Sequence, residues 1–143
     1  MNRAVIAGYK RTPFHFANKG DLKTVRPDDL AVKAIKGLLA ETKVDPKDIE
    51  DLLLGCAFPE GEQGLNVARL IALHADLPLS VAGATINRFC GSSMQAIHSA
   101  AGAIAAGAGD VFICAGVESM SRIPRGGFNP MPNPDLYEKM PGA

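Results

Sequence analysis

The chain has 143 residues, 47% of them hydrophobic and 21% charged, with fifteen Lys and Arg balanced by fifteen Asp and Glu. That is the length of one ordinary domain with enough apolar side chains to fill a core, and it excludes a compositionally disordered chain. A net charge of zero argues against a dedicated nucleic-acid binder, whose footprint is an excess of basic residues.

The opening MNRAVIAGYK carries Arg3 and Lys10 and no long apolar run, so an ordinary secretory signal is not expected. Ala4-Val5-Ile6-Ala7-Gly8 is a short apolar run ending in glycine and predicts a buried strand. A polar loop follows as far as Arg26. Pro27 then takes a first helical position, with Asp28 and Asp29 in the first turn where the helix dipole favours anions. Leu30, Ala31, Ala34, Ile35, Leu38 and Leu39 recur at helical spacing and carry this helix to about residue 42.

Asp45 and Pro46 predict a second, short helix, as N-cap and first residue. Residues 52–57 read as another buried strand, and Gly61-Glu62-Gln63-Gly64 as a turn. Residues 66–75 predict an amphipathic helix with Val67, Leu70, Ile71 and Leu73 turned inward. Residues 82–87 read as a strand, and Cys90 follows within three residues. Residues 91–106 predict a helix of small residues buried on most sides, because it is apolar all round. The stretch 89–109 lacks Asp, Glu, Lys and Arg, but four glycines and several polar side chains make a membrane span unexpected. Residues 111–116 form a fourth predicted strand. Residues 122–143 hold five prolines and three glycines, the composition of an excursion rather than a packed element. Continuous apolar strands alternating with helices predict an α/β fold, a mostly parallel mixed sheet with helices on both faces.

Charge is uneven along the chain. Residues 1–26 carry six basic groups against Asp21 alone, whereas residues 27–62 carry nine acidic groups against four basic. This reads as a solvated surface or as a basic rim near an anionic substrate. The three cysteines, Cys56, Cys90 and Cys114, are odd in number and form no CxxC, so neither a zinc site nor a disulfide framework is expected. A reduced, cytoplasmic protein is the expectation.

Cys90 stands out by its place. It lies on a strand-to-helix turn, where unpaired N–H groups and the positive end of the helix dipole favour thiolate over thiol. The same N–H groups can receive a developing oxyanion. Cys56 and Cys114 are expected to be buried and inert. His98 lies eight residues after Cys90 on one helix, about 12 Å away at the helical rise, too far for direct proton transfer. His98 is read as a packed helix residue, and His15 and His74 carry no assigned role. Glu118 is read as holding the turn after the last strand. Gly107-Ala108-Gly109 follows a helix and precedes a strand, the wrong order for a dinucleotide loop.

The run Asn87-Arg88-Phe89-Cys90-Gly91-Ser92-Ser93-Met94-Gln95-Ala96 resembles the active-site segment of thiolases, above all the degradative 3-ketoacyl-CoA thiolases. Ala115-Gly116-Val117-Glu118-Ser119-Met120-Ser121 resembles the motif after the family's next strand, and Val5 to Phe14 its first strand and R-T-P-F turn. The resemblance implies part of the thiolase fold: residues 1–118 as an incomplete N-terminal domain and residues 119–143 as the start of a Pro/Gly-rich, CoA-binding excursion. It implies that Cys90 is the nucleophile, forms an acyl-thioester, and contributes its backbone N–H to an oxyanion site. Acetyl-CoA would leave and a second coenzyme A would release the shortened acyl-CoA. Coenzyme A is thus a substrate, with no bound cofactor or metal. In the family, a histidine in a G-H-P motif and a cysteine in a C-x-G-G-G-x-G motif complete the site. Neither motif occurs in this chain, which is therefore expected to be inactive alone. A homodimer or homotetramer, and membership of a β-oxidation complex, are further implications of the resemblance. A ketosynthase-like condensing enzyme and a non-catalytic thiolase-like scaffold subunit are the alternatives.

Overall fold

The structure is a computed structural model that describes residues 3–140. At its centre is β1 (Asp51–Gly55), flanked by β2 (Ala82–Ile86) and β3 (Phe112–Gly116), all parallel, in the order β2-β1-β3. The register places Leu53 beside Ala84 on one side and Cys114 on the other. Side chains alternate across β1. Leu52 and Leu54, both fully buried, pack with α1 (Pro27–Thr42) and α2 (Val67–His74), while Leu53 packs with Ala96 and Ala100 of α3 (Ser92–Ala106). Helices therefore cover both faces of the sheet, as expected of an α/β fold.

α1 spans the expected residues, and Lys43 closes it in the left-handed conformation. Asp45 caps the short 3-10 turn Pro46–Asp48, its Oδ1 accepting the Lys47 N–H at 2.9 Å. α2 turns Val67 and Ile71 inward as expected, but not Leu70 and Leu73. Leu70 and Leu73 are exposed, and Ala68, Ile71 and Ala72 are buried. The cause is close packing: a Cβ on Gly83 of β2 would lie 2.6 Å from the Arg69 Cα. A helix this near the sheet presents alanine to it and turns leucine outward.

The N-terminal expectation is corrected. Residues 4–8 form no strand, and Val5 and Ile6 are about four-fifths exposed, at 81% and 80%. The segment runs past the C-terminal part of α1, where Lys10 pairs with Glu41. An open space of about 1240 Å³, lined on its far side by Ile97, Ile104 and β3, separates it from the sheet. Among the described residues the sheet has three strands, not four. α3 is likewise covered on one side only: Ser92, Ala96 and Ala100 are buried, whereas Met94 and Ile97 are half exposed.

The Pro/Gly-rich tail is partly packed. Ile123 is buried, Arg122 pairs with Glu62, and a six-residue helix, α4, spans Pro134–Lys139. Residues 141–143 of the expected excursion lie outside the described residues.

Candidate functional site

The C-terminal ends of the parallel strands meet the first turn of α3, and glycine makes the approach possible. A Cβ on Gly55, the last residue of β1, would run into the Ser93 backbone N–H, and one on Gly116, the last of β3, into the Ser93 hydroxyl. The helix therefore starts directly above the strand ends, with Cys90 on the turn that leads into it.

That turn is tightly specified. Phe89, immediately before the cysteine, has φ +47°, the left-handed region, which costs a bulky L-residue about 1–2 kcal/mol. Hydrogen bonds hold it there. The Phe89 N–H donates to Asn87 Oδ1 at 2.9 Å, and Asn87 Nδ2 donates to the Ala57 carbonyl at 2.9 Å. The Ser92 hydroxyl, buried, accepts from the Arg88 N–H at 2.9 Å and donates to the Phe89 carbonyl at 2.5 Å. Arg88 reaches along α3 to Gln95 Oε1 at 2.6 Å.

Cys90 itself is exposed. The Gly91 and Ser92 N–H groups bond within the turn, to the Arg88 and Phe89 carbonyls. The N–H groups of Cys90, Ser93 and Met94 have no protein acceptor among the described residues, as the orphan donors at a helix start require. An accessible sulfur beside free N–H donors at the positive end of a helix can attack a carbonyl and place the resulting oxyanion against those donors.

The other cysteines differ. Cys56 follows β1 and is 1% exposed. Burial, reinforced by the nearby Glu118 carboxylate, pushes its thiol up to about 11. Cys114 was expected to be buried, but it is exposed, because β3 is an outer strand and α3 covers it only in part. Its sulfur lies 3.6 Å from the Ala96 carbonyl, and this partial burial raises its pKa.

None of the three histidines hydrogen-bonds to the Cys90 turn among the described residues. His15 Nδ1 accepts from the Asp21 N–H at 3.0 Å, and His74 Nε2 lies 3.0 Å from Asp29 Oδ1. His98, read from sequence as packed, is an exposed residue of α3.

The turn at residues 61–64 is more than a turn. It is a 3-10 helix, Gly61–Gln63, that buries Gln63 completely. Gln63 Nε2 donates to Glu118 Oε1 at 2.6 Å and to the Phe58 carbonyl at 2.9 Å, and its Oε1 accepts the Ser119 N–H at 2.7 Å. Glu118 Oε2 accepts the Ala57 N–H at 2.7 Å. The position after the last strand read as Glu118's task is thus shared with a glutamine that sequence reasoning missed. The signal available was the pair of glycines around it, which lets a short turn fold inward. Among the described residues no three His, Cys, Asp or Glu side chains gather as a metal site would need, and no helix is long and apolar enough to cross a membrane.

Residues 4–136 match the family described as "Thiolase, N-terminal domain". A 3-ketoacyl-CoA thiolase of Bacillus subtilis is 48% identical over 141 residues, 99% of this chain and 36% of that protein. Similar proteins of the same name from Saccharophagus degradans and Pseudoalteromonas translucida are 50% and 48% identical, over 83% and 87% of the chain and 31% and 32% of their own lengths. The chain therefore spans about a third of the length of these relatives.

Proposed function

The chain belongs to the thiolase family, and we propose that the protein exchanges an acetyl unit between a 3-ketoacyl-CoA and coenzyme A, with Cys90 as the nucleophile. The observation that carries this reading is the exposed Cys90 sulfur on a strained turn at the start of α3, beside backbone donors without a protein acceptor.

The Cys90 thiolate attacks the 3-keto carbon, and the charge that develops on oxygen falls against N–H groups of the turn. The bond between C2 and C3 then breaks. The electron pair stays on C2 and takes up a proton, so acetyl-CoA leaves and the shortened acyl group remains on sulfur. A second coenzyme A thiol attacks this thioester, loses its proton, and returns the electron pair to Cys90. This is covalent catalysis in two half-reactions with ping-pong kinetics. Run backwards, it is a Claisen condensation. Coenzyme A enters as substrate, and the sequence of steps calls for no metal.

The half-exposed Met94 and Ile97 of α3 support the reading that more protein covers this helix. A dimer or tetramer working in fatty-acid β-oxidation in the cytoplasm belongs to the same proposal. The chain by itself is expected not to turn over, because the family's G-H-P histidine and second cysteine are not in it.

The test is a thiolysis assay on the protein with a 3-ketoacyl-CoA and coenzyme A, in the parent and in Cys90→Ser. Consumption that stops in the variant is expected. Parent-like turnover by Cys90→Ser would contradict the assignment, and robust thiolysis by the pure 143-residue chain would contradict the expectation that it is inactive alone.

A further inference from the structure

The Cys90 turn is fastened to the protein interior by an unbroken series of hydrogen bonds. It starts at the fully buried Gln63, whose Nε2 donates to Glu118 Oε1 at 2.6 Å. Glu118 Oε2 accepts the Ala57 N–H at 2.7 Å, and the Ala57 carbonyl accepts Asn87 Nδ2 at 2.9 Å. Asn87 Oδ1 accepts the Phe89 N–H at 2.9 Å, and Phe89 is the left-handed residue next to Cys90. The series ties together the loops that follow all three strands. Both carboxylate oxygens of Glu118 act as acceptors. A glutamine of the same size would turn an NH2 group towards the Ala57 N–H or the Gln63 NH2, donor against donor. Gln63 cannot flip to compensate, because its Oε1 already holds the Ser119 N–H.

We propose that Gln63 and Glu118 are positioning residues for Cys90: acting through Ala57 and Asn87, they hold Phe89 in its left-handed conformation and so fix the exposed turn that carries the Cys90 sulfur at the start of α3. The proposal rests on the reading of Cys90 as nucleophile. It gives Glu118 a role other than general base, since both its oxygens are already engaged.

Charge and geometry predict opposite signs for Glu118→Gln. Removing a negative charge by itself favours a thiolate and speeds alkylation. Releasing the turn takes the sulfur from its fixed, exposed place at the start of α3, and slows it.

The experiment measures carbamidomethylation at each cysteine by peptide mapping, from about pH 6 to 9. It uses the full chain as parent, Glu118→Gln, Gln63→Met and Glu62→Gln, each checked for folding by circular dichroism. Glu62 belongs to the same loop but pairs with Arg122 and Arg26 instead. In the parent, Cys90 is expected to react faster than in urea. Glu118→Gln and Gln63→Met should each slow Cys90 about tenfold, with Cys114 within about twofold of parent and Glu62→Gln unchanged at Cys90. A folded Glu118→Gln or Gln63→Met with a parent-like or faster Cys90 rate overturns the positioning role and leaves the nucleophile standing. A parent Cys90 no faster than in urea overturns the nucleophile reading and the positioning role with it. If both interior variants fail to fold, Asn87→Ala cuts the same series at its exposed end: the same slowing supports the proposal, and a parent-like rate overturns it.

Discussion

Cys56 and Cys90 each follow a strand of the same parallel sheet, β1 and its neighbour β2, yet their surroundings could hardly differ more. After β1 the chain folds inward. Cys56 is sealed beneath the Gly61–Gln63 turn, next to Glu118, and its thiol is pushed up to about 11. After β2 the chain turns outward through the strained Phe89 and enters a helix, so Cys90 is exposed on a turn whose own N–H groups include unpaired ones. A cysteine's chemistry here is decided by what the backbone does in the next few residues. Both environments also lean on one group. The Glu118 carboxylate that helps keep Cys56 neutral also accepts the Ala57 N–H, one step along the series that ends at the Cys90 turn.

The contrast can be broken most severely at Cys90. Cys90→Ser should lower thiolysis by about a thousandfold or more, since a hydroxyl replaces the nucleophile, whereas Cys56→Ser should leave turnover within an order of magnitude. Steady-state rates on the two variants check this.

Next in size is the approach of α3 to the strand ends. Gly55→Ala drives a methyl group into the Ser93 backbone, and should cost about 2–3 kcal/mol as overpacking that cannot relax by a rotamer change. Gly116→Ala meets the Ser93 hydroxyl first, which can rotate, so it should cost less. Urea unfolding of the two variants orders them.

Cys56 sharpens the comparison through pH. Its folded pKa is raised from 9.0 to about 11, so the native state holds its proton where the unfolded state has lost it. The resulting stability is fully present below about pH 9 and is lost as pH rises through about 11, amounting to about 2–3 kcal/mol. Urea midpoints across this window should fall in the parent and fall less in Cys56→Ser.

The smallest effect lies at the edge of the site. Arg122 holds the Glu62 carboxyl below its ordinary range by hydrogen bond and charge, but the pair is partly solvated. Arg122→Ala should lower the urea midpoint least of all these variants, because an exposed pair is screened by solvent, without changing the alkylation rate at Cys90.

The sequence made Cys90 legible because a strand, a cysteine and a helix of small residues follow in order, and that order is local. The same holds for α1, whose periodicity and Pro27 start are matched in the structure. Residues 4–8 show where local reading stops. Their apolar pattern suits a strand, but a strand exists only when paired, and across the open space by β3 this segment is unpaired. Leu70 and Leu73 teach the same lesson for α2. Leucine at helical spacing predicted an inward face, while the spacing between α2 and β2, set by Gly83, gave that face to alanine. Gln63 was illegible for another reason: two polar residues between glycines show no period, and the value of Gln63 depends on Glu118, far along the chain.

The central claim is that Cys90, and neither of the other cysteines, carries the acyl group. The direct measurement is to incubate protein that performs thiolysis with acetyl-CoA, quench it in acid, and map the modified peptide by mass spectrometry. The account predicts an acetyl thioester on the Cys90 peptide, absent from Cys90→Ser. An acetyl group on Cys56 or Cys114, or an unmodified Cys90 in protein that still turns over, would contradict it.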